Sequence, residues 1–278
     1  LTPLGDPPLF LGYLRGVPFA WTFGLVKEWA FAVGALLLVY LVLDRWFYRR
    51  EDLPHRVADA TQVQPLRLAG RRNFLWLAGV IGGVAFLTES NLDAWLGESP
   101  LVPYLRDGIL VLLGLGALAT TPARLRAENE FTWGPIVEVA TLFFGIFLSM
   151  MAAIQLLHVF GPDLPVKSPR EFFWATGALS SFLDNAPTYV VFFETAKTLP
   201  TPEGMATVAG VSEHLLAGVS LGAVFMGAMT YIGNAPNFMV KAIAEERQVP
   251  MPSFFGYMLY SCGLLLPIFW GATLIFLD

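Results

Sequence analysis

Residues 180–188 read Ser-Ser-Phe-Leu-Asp-Asn-Ala-Pro-Thr and interrupt an apolar stretch that extends over 172–193. Asp184 is the only charged residue among the 22 of this stretch. A proline in a helix interior costs ~3 kcal/mol, and a carboxylate at the bilayer centre costs about 2.5–3.5 kcal/mol on insertion scales. Together they predict a broken backbone that faces a polar cavity, as in a re-entrant hairpin. The alternative is a kinked crossing in which a neighbouring helix satisfies Asp184.

The composition predicts a membrane protein. Of the 278 residues, 55% are hydrophobic and 14% are charged, whereas about 25% are charged in soluble proteins. So few charged residues cannot cover a soluble surface, and much of the surface is therefore expected to face lipid. The candidate membrane segments are 29–48, 73–88, 105–120, 131–160, 172–193, 215–244 and 254–277.

The placement of the charges predicts the sidedness of these segments. Six arginines lie in the linker 49–72, whereas the loop 89–107 is acidic, so the positive-inside rule places the linker in the cytoplasm. If 172–193 is re-entrant, 11 of the 17 Lys and Arg residues lie on the cytoplasmic side and the C-terminus lies outside. The net charge of −5 and the lack of a basic stripe exclude a nucleic-acid partner.

A second interruption, at 230–238, reads Thr-Tyr-Ile-Gly-Asn-Ala-Pro-Asn-Phe and matches Thr-Pro-Leu-Gly-Asp-Pro-Pro-Leu-Phe at 2–10. At a constant offset of 228, four of the nine positions are identical, among them a Gly and a Pro that break helices. In the sidedness above, the two copies run in opposite directions across the membrane. Paired broken helices in an inverted repeat are the layout of a secondary transporter.

The repeat also predicts what precedes the first copy. Asp184 lies 50 residues before Asn234, so a second hairpin is expected about 50 residues before Asp6. We therefore expect the chain to be the C-terminal portion of a longer transporter. The expected fold class is an all-α integral membrane protein, an inverted-repeat secondary transporter with a re-entrant hairpin and discontinuous helices.

The motifs at 2–8, 181–188 and 230–237 resemble those of the ion transporter superfamily, closest to its bacterial sodium:proton antiporter and citrate transporter-like proteins. The resemblance covers the whole chain. It implies a homodimer in the bacterial inner membrane, with several crossings per chain, in contact with lipid. It also implies a transport domain, built from hairpins and broken helices, that moves against a fixed scaffold.

The resemblance further implies a division of the chain into three parts. The end of the N-terminal repeat would occupy 1–48, with an unwound segment, a half-helix and one span, and the cytoplasmic linker would occupy 49–72. The C-terminal repeat would occupy 73–278. It would contain three spans, a re-entrant hairpin at about 171–197, a broken helix at about 214–246 and a last span at about 254–277.

The hairpin tip departs from the dicarboxylate carriers of this superfamily, in which it reads Ser-Asn-Thr. Here Asp184 precedes Asn185, and a fixed negative charge attracts a cation and repels a carboxylate. We expect Asp184 to exchange a proton for sodium, with oxygen ligands from the neighbouring polar residues and the unwound backbone. The expected sodium, proton or substrate site comprises Asp184, Asn185, Thr188, Thr230, Gly233, Asn234, Thr2, Gly5 and Asp6.

The function predicted first is sodium:proton antiport, in which Na⁺ and H⁺ compete for a buried carboxylate. The alternative is Na⁺- or H⁺-coupled transport of citrate or another organic anion. We expect no enzyme and no cofactor, with Na⁺ as the transported or coupling ion. An intramembrane aspartyl protease is disfavoured because Pro3-Leu4-Gly5-Asp6 lacks the first Gly of a Gly-x-Gly-Asp signature, and no His-Glu-x-x-His motif is present.

Overall fold

The computed structural model describes residues 2–53, 57, 61, 68–97, 101–134, 136–137, 140–141, 144–145, 148, 151, 155–156, 159–160, 163–201, 204–246 and 248–277. These residues are mostly helical, which confirms the all-α prediction. The chain forms two compact units, one of Leu1–Phe47 with Leu142–Asp278 and one of Tyr48–Thr141. These units are defined by the packing of the chain, whereas the predicted boundaries at 48 and 72 are based on the sequence repeat. The division into three parts therefore stays a prediction.

The first unit begins with a short helix and a long one. Helix α1, Pro7–Leu14, starts with two prolines, whose fixed φ and missing N–H suit the first helical turn. A 3-10 helix, Phe19–Leu25, leads into α2, Val26–Tyr48. Many apolar side chains of α2 are exposed, for example Leu38 at 66% and Val42 at 68%, and such a surface suits contact with lipid.

The second unit contains four described helices: α3 Asn73–Phe86, α4 Glu89–Leu96, α5 Val102–Thr120 and α6 Ala123–Glu128. The glycines of α3 and α5 let them pack closely, because a Cβ on Gly83 would lie 2.9 Å from a methyl group of Leu110. Trp76 Nε1 donates to Thr120 Oγ1 at 2.8 Å across the same pair of helices. Half of the predicted linker 49–72 lies outside the described residues, and within 134–160 every described residue is helical.

The remaining elements return to the first unit. They are α7 Pro169–Ser180, α8 Asn185–Lys197, a two-stranded antiparallel ribbon of β1 Thr207–Val208 and β2 Val211–Ser212, α9 Glu213–Met226, α10 Ala235–Glu246 and α11 Phe254–Phe276. A 3-10 turn, Gly227–Met229, extends α9. Two helices of the described chain are long and apolar enough to cross a membrane, Phe19–Tyr48 and Phe254–Phe276.

Glycines bring α7 and α9 into backbone contact. A Cβ on Gly218 would lie 2.3 Å from the carbonyl oxygen of Pro169, and one on Gly222 would lie 2.4 Å from that of Phe173. Both pairs are separated by 49 residues, so the two helices run parallel in a fixed register. Small residues spaced by four are the usual means of close helix approach in membrane proteins.

Two apolar clusters hold this unit together. One surrounds the fully buried Phe172, Tyr189 and Phe193 on α7 and α8. The other joins α9 to α11, where the rings of Phe225 and Phe269 stack at 5.7 Å. The hairpin α7–α8 therefore packs against α9, and its polar turn lies at one end of the packed helices.

In both sequence copies a non-helical segment precedes the start of a helix. The segment 2–6 is non-helical and α1 begins at Pro7, and the segment 230–234 is non-helical and α10 begins at Ala235. The offset between the two helix starts is the 228 residues of the sequence match. In both copies a threonine turns the chain back on itself: Gly5 N donates to Thr2 O at 3.0 Å and Gly233 N donates to Thr230 Oγ1 at 3.1 Å.

Candidate functional site

The turn between α7 and α8 presents Asp184 and Asn185 at the start of a helix. Asp184 is the N-cap residue of α8 with φ −56° and ψ 136°, and Pro187 falls in the first helical turn. A proline is tolerated there because the first N–H groups of a helix have no intrahelical partner. The interruption expected from Pro187 is therefore the beginning of a new helix. Thr188 Oγ1 donates to Asp184 O at 3.0 Å, so this predicted ligand bonds to its own helix.

Two serines tie the turn to the end of α9. Ser180 Oγ donates to Ala223 O at 2.9 Å, and Ser181 Oγ donates to Met226 O at 3.0 Å. Both serines are buried. They hold the hairpin turn beside the carbonyl groups that α9 leaves free at its C-terminus.

The break at 230–234 packs directly on this turn. Thr230 Oγ1 accepts hydrogen bonds from Ile232 N at 3.2 Å and Gly233 N at 3.1 Å, and it donates to Ser181 O. Gly233 has no room for a side chain, because an added Cβ would lie 2.7 Å from Gly227 O and 2.8 Å from Ser180 O. Carbonyl oxygens of two segments, the hairpin turn and the turn that extends α9, therefore crowd around Gly233.

Asn237 closes the break from the other side. Its Nδ2 donates to Gly227 O at 3.0 Å and to Thr230 O at 3.2 Å. The side chain of a residue on α10 thus satisfies carbonyl groups that the broken helix would otherwise leave without partners.

Asp6 joins the first sequence copy to the hairpin. Asn185 Nδ2 donates to Asp6 Oδ1 at 3.4 Å. Asn185 is fully buried, and its Oδ1 has no hydrogen-bond partner among the described residues. Asp184 directly precedes Asn185, so both acidic residues belong to this polar cluster. The arrangement presents two acidic groups and an unsatisfied amide oxygen, which together suit a cation.

Some of the predicted site residues contact the hairpin turn, and others do not. Asp6 meets Asn185, and Thr230 and Gly233 meet the hairpin turn. Asn234 accepts a backbone hydrogen bond from Asn237, and Thr2 and Gly5 bond to each other; no hydrogen bond of the described residues joins these three to the hairpin. The described residues contain no cluster of three His, Cys, Asp or Glu side chains that could hold a metal ion.

The sequence interpretation left out three residues that shape this site and one ion pair further along α8. Ser180, Ser181 and Asn237 lie within the quoted motifs, but their bonds to distant carbonyl groups have no sequence signal. Arg15 lies outside the motifs and pairs with Glu194 of α8 at 3.1 Å. Apart from its position one residue after α1, nothing in the sequence around Arg15 indicates this pairing.

Comparison with known proteins identifies the family. No curated protein and no solved structure gives a significant match. A family model described as "Putative citrate transport" matches residues 1–277, nearly the entire chain. This match confirms the resemblance inferred from the motifs, and the two long apolar helices agree with a membrane transport protein. The chain belongs to this citrate-transport family of the ion transporter superfamily.

Proposed function

We propose that this chain carries the binding site of a secondary transporter that moves a citrate-like organic anion together with a coupling cation, with sodium as that cation. The family match supports an organic anion as the substrate. The polar cluster between the hairpin and the two broken segments supports the cation. Antiport of sodium and protons, which the sequence favoured first, becomes the second candidate because the family description names citrate.

The observation that carries the cation site is the buried Asn185. Its amide nitrogen faces the carboxylate of Asp6, while its Oδ1 lacks a partner among the described residues. A buried amide oxygen without a partner costs about 1–3 kcal/mol, so a ligand that satisfies it gains that amount. Sodium takes oxygen ligands, and carboxylate, amide and unwound backbone oxygens are all present.

The anion is proposed to bind after the cation. Two carboxylates repel a citrate-like substrate, whereas a bound cation neutralises part of their charge. Helices α1 and α8 both begin at this cluster, and their N-termini carry partial positive charge that favours an anion. Because the anion binds only after the cation, the transport of the two ions is coupled, and no further structural element is needed for the coupling.

Sodium:proton antiport is the second candidate, and it is favoured by the closeness of the two carboxylates. Asn185, which contacts Asp6, directly follows Asp184 in the chain, so both carboxylates belong to one polar cluster, and neighbouring carboxylates resist joint ionisation. Na⁺ and H⁺ would then compete for the pair, as the sequence predicted for Asp184. This mechanism needs no organic anion, which makes the two candidates separable.

The membrane arrangement is part of the proposal. We infer that α2 and α11 cross the bacterial inner membrane, that α7 and α8 form a re-entrant hairpin, and that the segments at 2–10 and 230–238 are related as an inverted repeat. The equal offset of the two helix starts supports the repeat, and the exposed apolar face of α2 supports contact with lipid or with a second copy in a homodimer.

Transport assays on the purified protein in liposomes separate the candidates. Uptake of radiolabelled citrate is measured with an inward Na⁺ gradient, an inward H⁺ gradient and neither. Collapse of an imposed pH gradient on addition of Na⁺ is measured in the absence of citrate. Citrate uptake that requires Na⁺ supports the first candidate. A sodium-driven collapse of the pH gradient without citrate uptake supports antiport and overturns the first.

A further inference from the structure

Helices α1 and α8 lie side by side in a fixed register. Asn185 meets Asp6 at their N-terminal ends, and Arg15 meets Glu194 nine residues further along both helices. Both pairs are separated by 179 residues in sequence. A constant separation means that the two helices are parallel, and nine residues correspond to about 13 Å of helix.

A notch at Gly12 of α1 accepts a large side chain of α8. The hydroxyl of Tyr189 would lie 2.3 Å from a Cβ on Gly12, so only a glycine fits there. Tyr189 is almost completely buried. The notch keeps the helices close together, but a ring against a glycine does not by itself prevent a slide along the helix axis.

We propose that Arg15 and Glu194 are positioning residues of the cation site: their ion pair fixes the register of α1 along α8 and thereby holds the Asp6 carboxylate against Asn185. The inference rests on the proposed function, because it assigns these residues to the cation site described above. The pair lies at the opposite end of both helices from Asp6 and contacts no ligand of that site.

The geometry of the two contacts supports this division of roles. Arg15 Nε donates to Glu194 Oε1 at 3.1 Å, and the two side chains are only 18% and 11% exposed. A charge-assisted hydrogen bond of this kind is strong, and removal of one partner leaves the other charge buried and unpaired. The contact from Asn185 to Asp6, at 3.4 Å, is near the limit for a hydrogen bond. A slide of one helical residue, about 1.5 Å, would break it.

The first test measures the sodium dependence of citrate uptake by Arg15→Gln, Glu194→Gln and the double variant in liposomes. We expect the half-saturating Na⁺ concentration to rise about tenfold in each, as when outer-shell partners of an ion site are lost. The maximal rate should stay within about twofold, and the double variant should resemble the single ones because they share one interaction. The matched control is Glu128→Gln, which removes an exposed pair with Arg124 in the other unit.

A second variant keeps the proposal testable if the single changes fail to fold. Arg15→Met with Glu194→Leu replaces the whole pair by apolar side chains, which buried pairs tolerate well. The half-saturating Na⁺ concentration should again rise about tenfold. An unchanged value in any folded variant, or a lower maximal rate with unchanged sodium dependence, overturns the proposal.

A measurement that does not depend on transport separates this proposal from the proposed function. Spin labels are placed at Leu4→Cys and Leu183→Cys, two exposed positions beside the Asp6–Asn185 contact, after Cys262, the one cysteine of the chain, is changed to Ser. The dipolar broadening should correspond to a single distance between the two labels in the parent. In Glu194→Gln it should be weaker or correspond to a range of distances. Unchanged broadening overturns the positioning role. Altered broadening in a protein without sodium-dependent uptake overturns only the proposed function.

Discussion

The side chain of Asn185 donates a hydrogen bond to the carboxylate of Asp6 at 3.4 Å, across 179 residues of sequence. Asn185 begins the second helix of the hairpin, and Asp6 directly precedes the helix that follows the first broken segment. The contact therefore joins the first sequence copy to the hairpin at a polar point. It makes Asp6 as central to the proposed site as Asp184, which the sequence placed first.

Gly218→Ala should destabilise the protein. The new methyl group would lie 2.3 Å from the carbonyl oxygen of Pro169, so α7 and α9 must move apart. We expect a loss of about 1–3 kcal/mol, as for other overpacked interiors. The measurement is the thermal unfolding midpoint in detergent. Gly263→Ala, on α11 with nothing within 4 Å of the new methyl group, is the control and should be neutral or stabilising. Equal midpoints for the two variants would contradict the close helix contact.

The two matched glycines of the sequence repeat should respond differently to alanine. In Gly233→Ala the methyl group meets carbonyl oxygens at 2.7, 2.8 and 3.1 Å, and these backbone atoms cannot rotate away. In Gly5→Ala its nearest neighbour is Thr2 Oγ1 at 3.5 Å, an ordinary contact. We expect a clear fall of the unfolding midpoint for Gly233→Ala and little change for Gly5→Ala. The reverse order would show that the break at 230–234 is not packed against the hairpin turn.

The capping box of α7 should stabilise the hairpin in a pH-dependent way. Backbone N–H groups of Lys167 and Ser168 donate to Glu171 Oε2 at 2.8 and 2.9 Å and hold the pKa of Glu171 below its ordinary value of 4.5. A lowered folded-state pKa means that the stabilisation is present above the unfolded value and is lost as the pH falls through the folded value. Glu171→Gln should therefore lower the unfolding midpoint at pH 7, and the difference from the parent should fade as the pH falls below 4.5.

The hydroxyl of the same box gives a comparison that depends less on pH, because its bond to the Glu171 backbone N–H does not require the ionised carboxylate. Ser168→Ala removes the hydroxyl that accepts from Glu171 N at 3.3 Å, and loss of such a cap costs ~1 kcal/mol. Its effect should persist at pH values where that of Glu171→Gln has vanished. Parallel pH profiles for the two variants would refute the role of the ionised carboxylate.

The positions of the breaks could be predicted from the sequence, because Pro187, Gly233 and Pro236 act on their own backbone. Local chemistry is enough to start α8 at Asn185 and to interrupt the chain between α9 and α10. The repeat was recognisable in the sequence for the same reason. The residues that start the helices at Pro7 and Ala235 lie directly beside the breaks that precede them.

The partners within the site could not be predicted, because they depend on how distant helices pack. Thr188 was a plausible ligand by spacing, yet its hydroxyl bonds to Asp184 O one turn back. Ser180 and Ser181 bind carbonyl groups of α9, which only the parallel contact between α7 and α9 brings near. The pairing of Arg15 with Glu194 depends on a helix register that no local signal specifies.

The most direct test of a cation site at Asp6 is the sodium dependence of citrate uptake by Asp6→Asn, measured in liposomes over a series of Na⁺ concentrations. The amide keeps the shape of the side chain but removes its charge, so we expect uptake to lose its dependence on Na⁺, and Asp184→Asn should behave in the same way. Asp44→Asn, an exposed change on α2, should keep the dependence of the parent. A sodium dependence in Asp6→Asn equal to that of the parent would contradict the site.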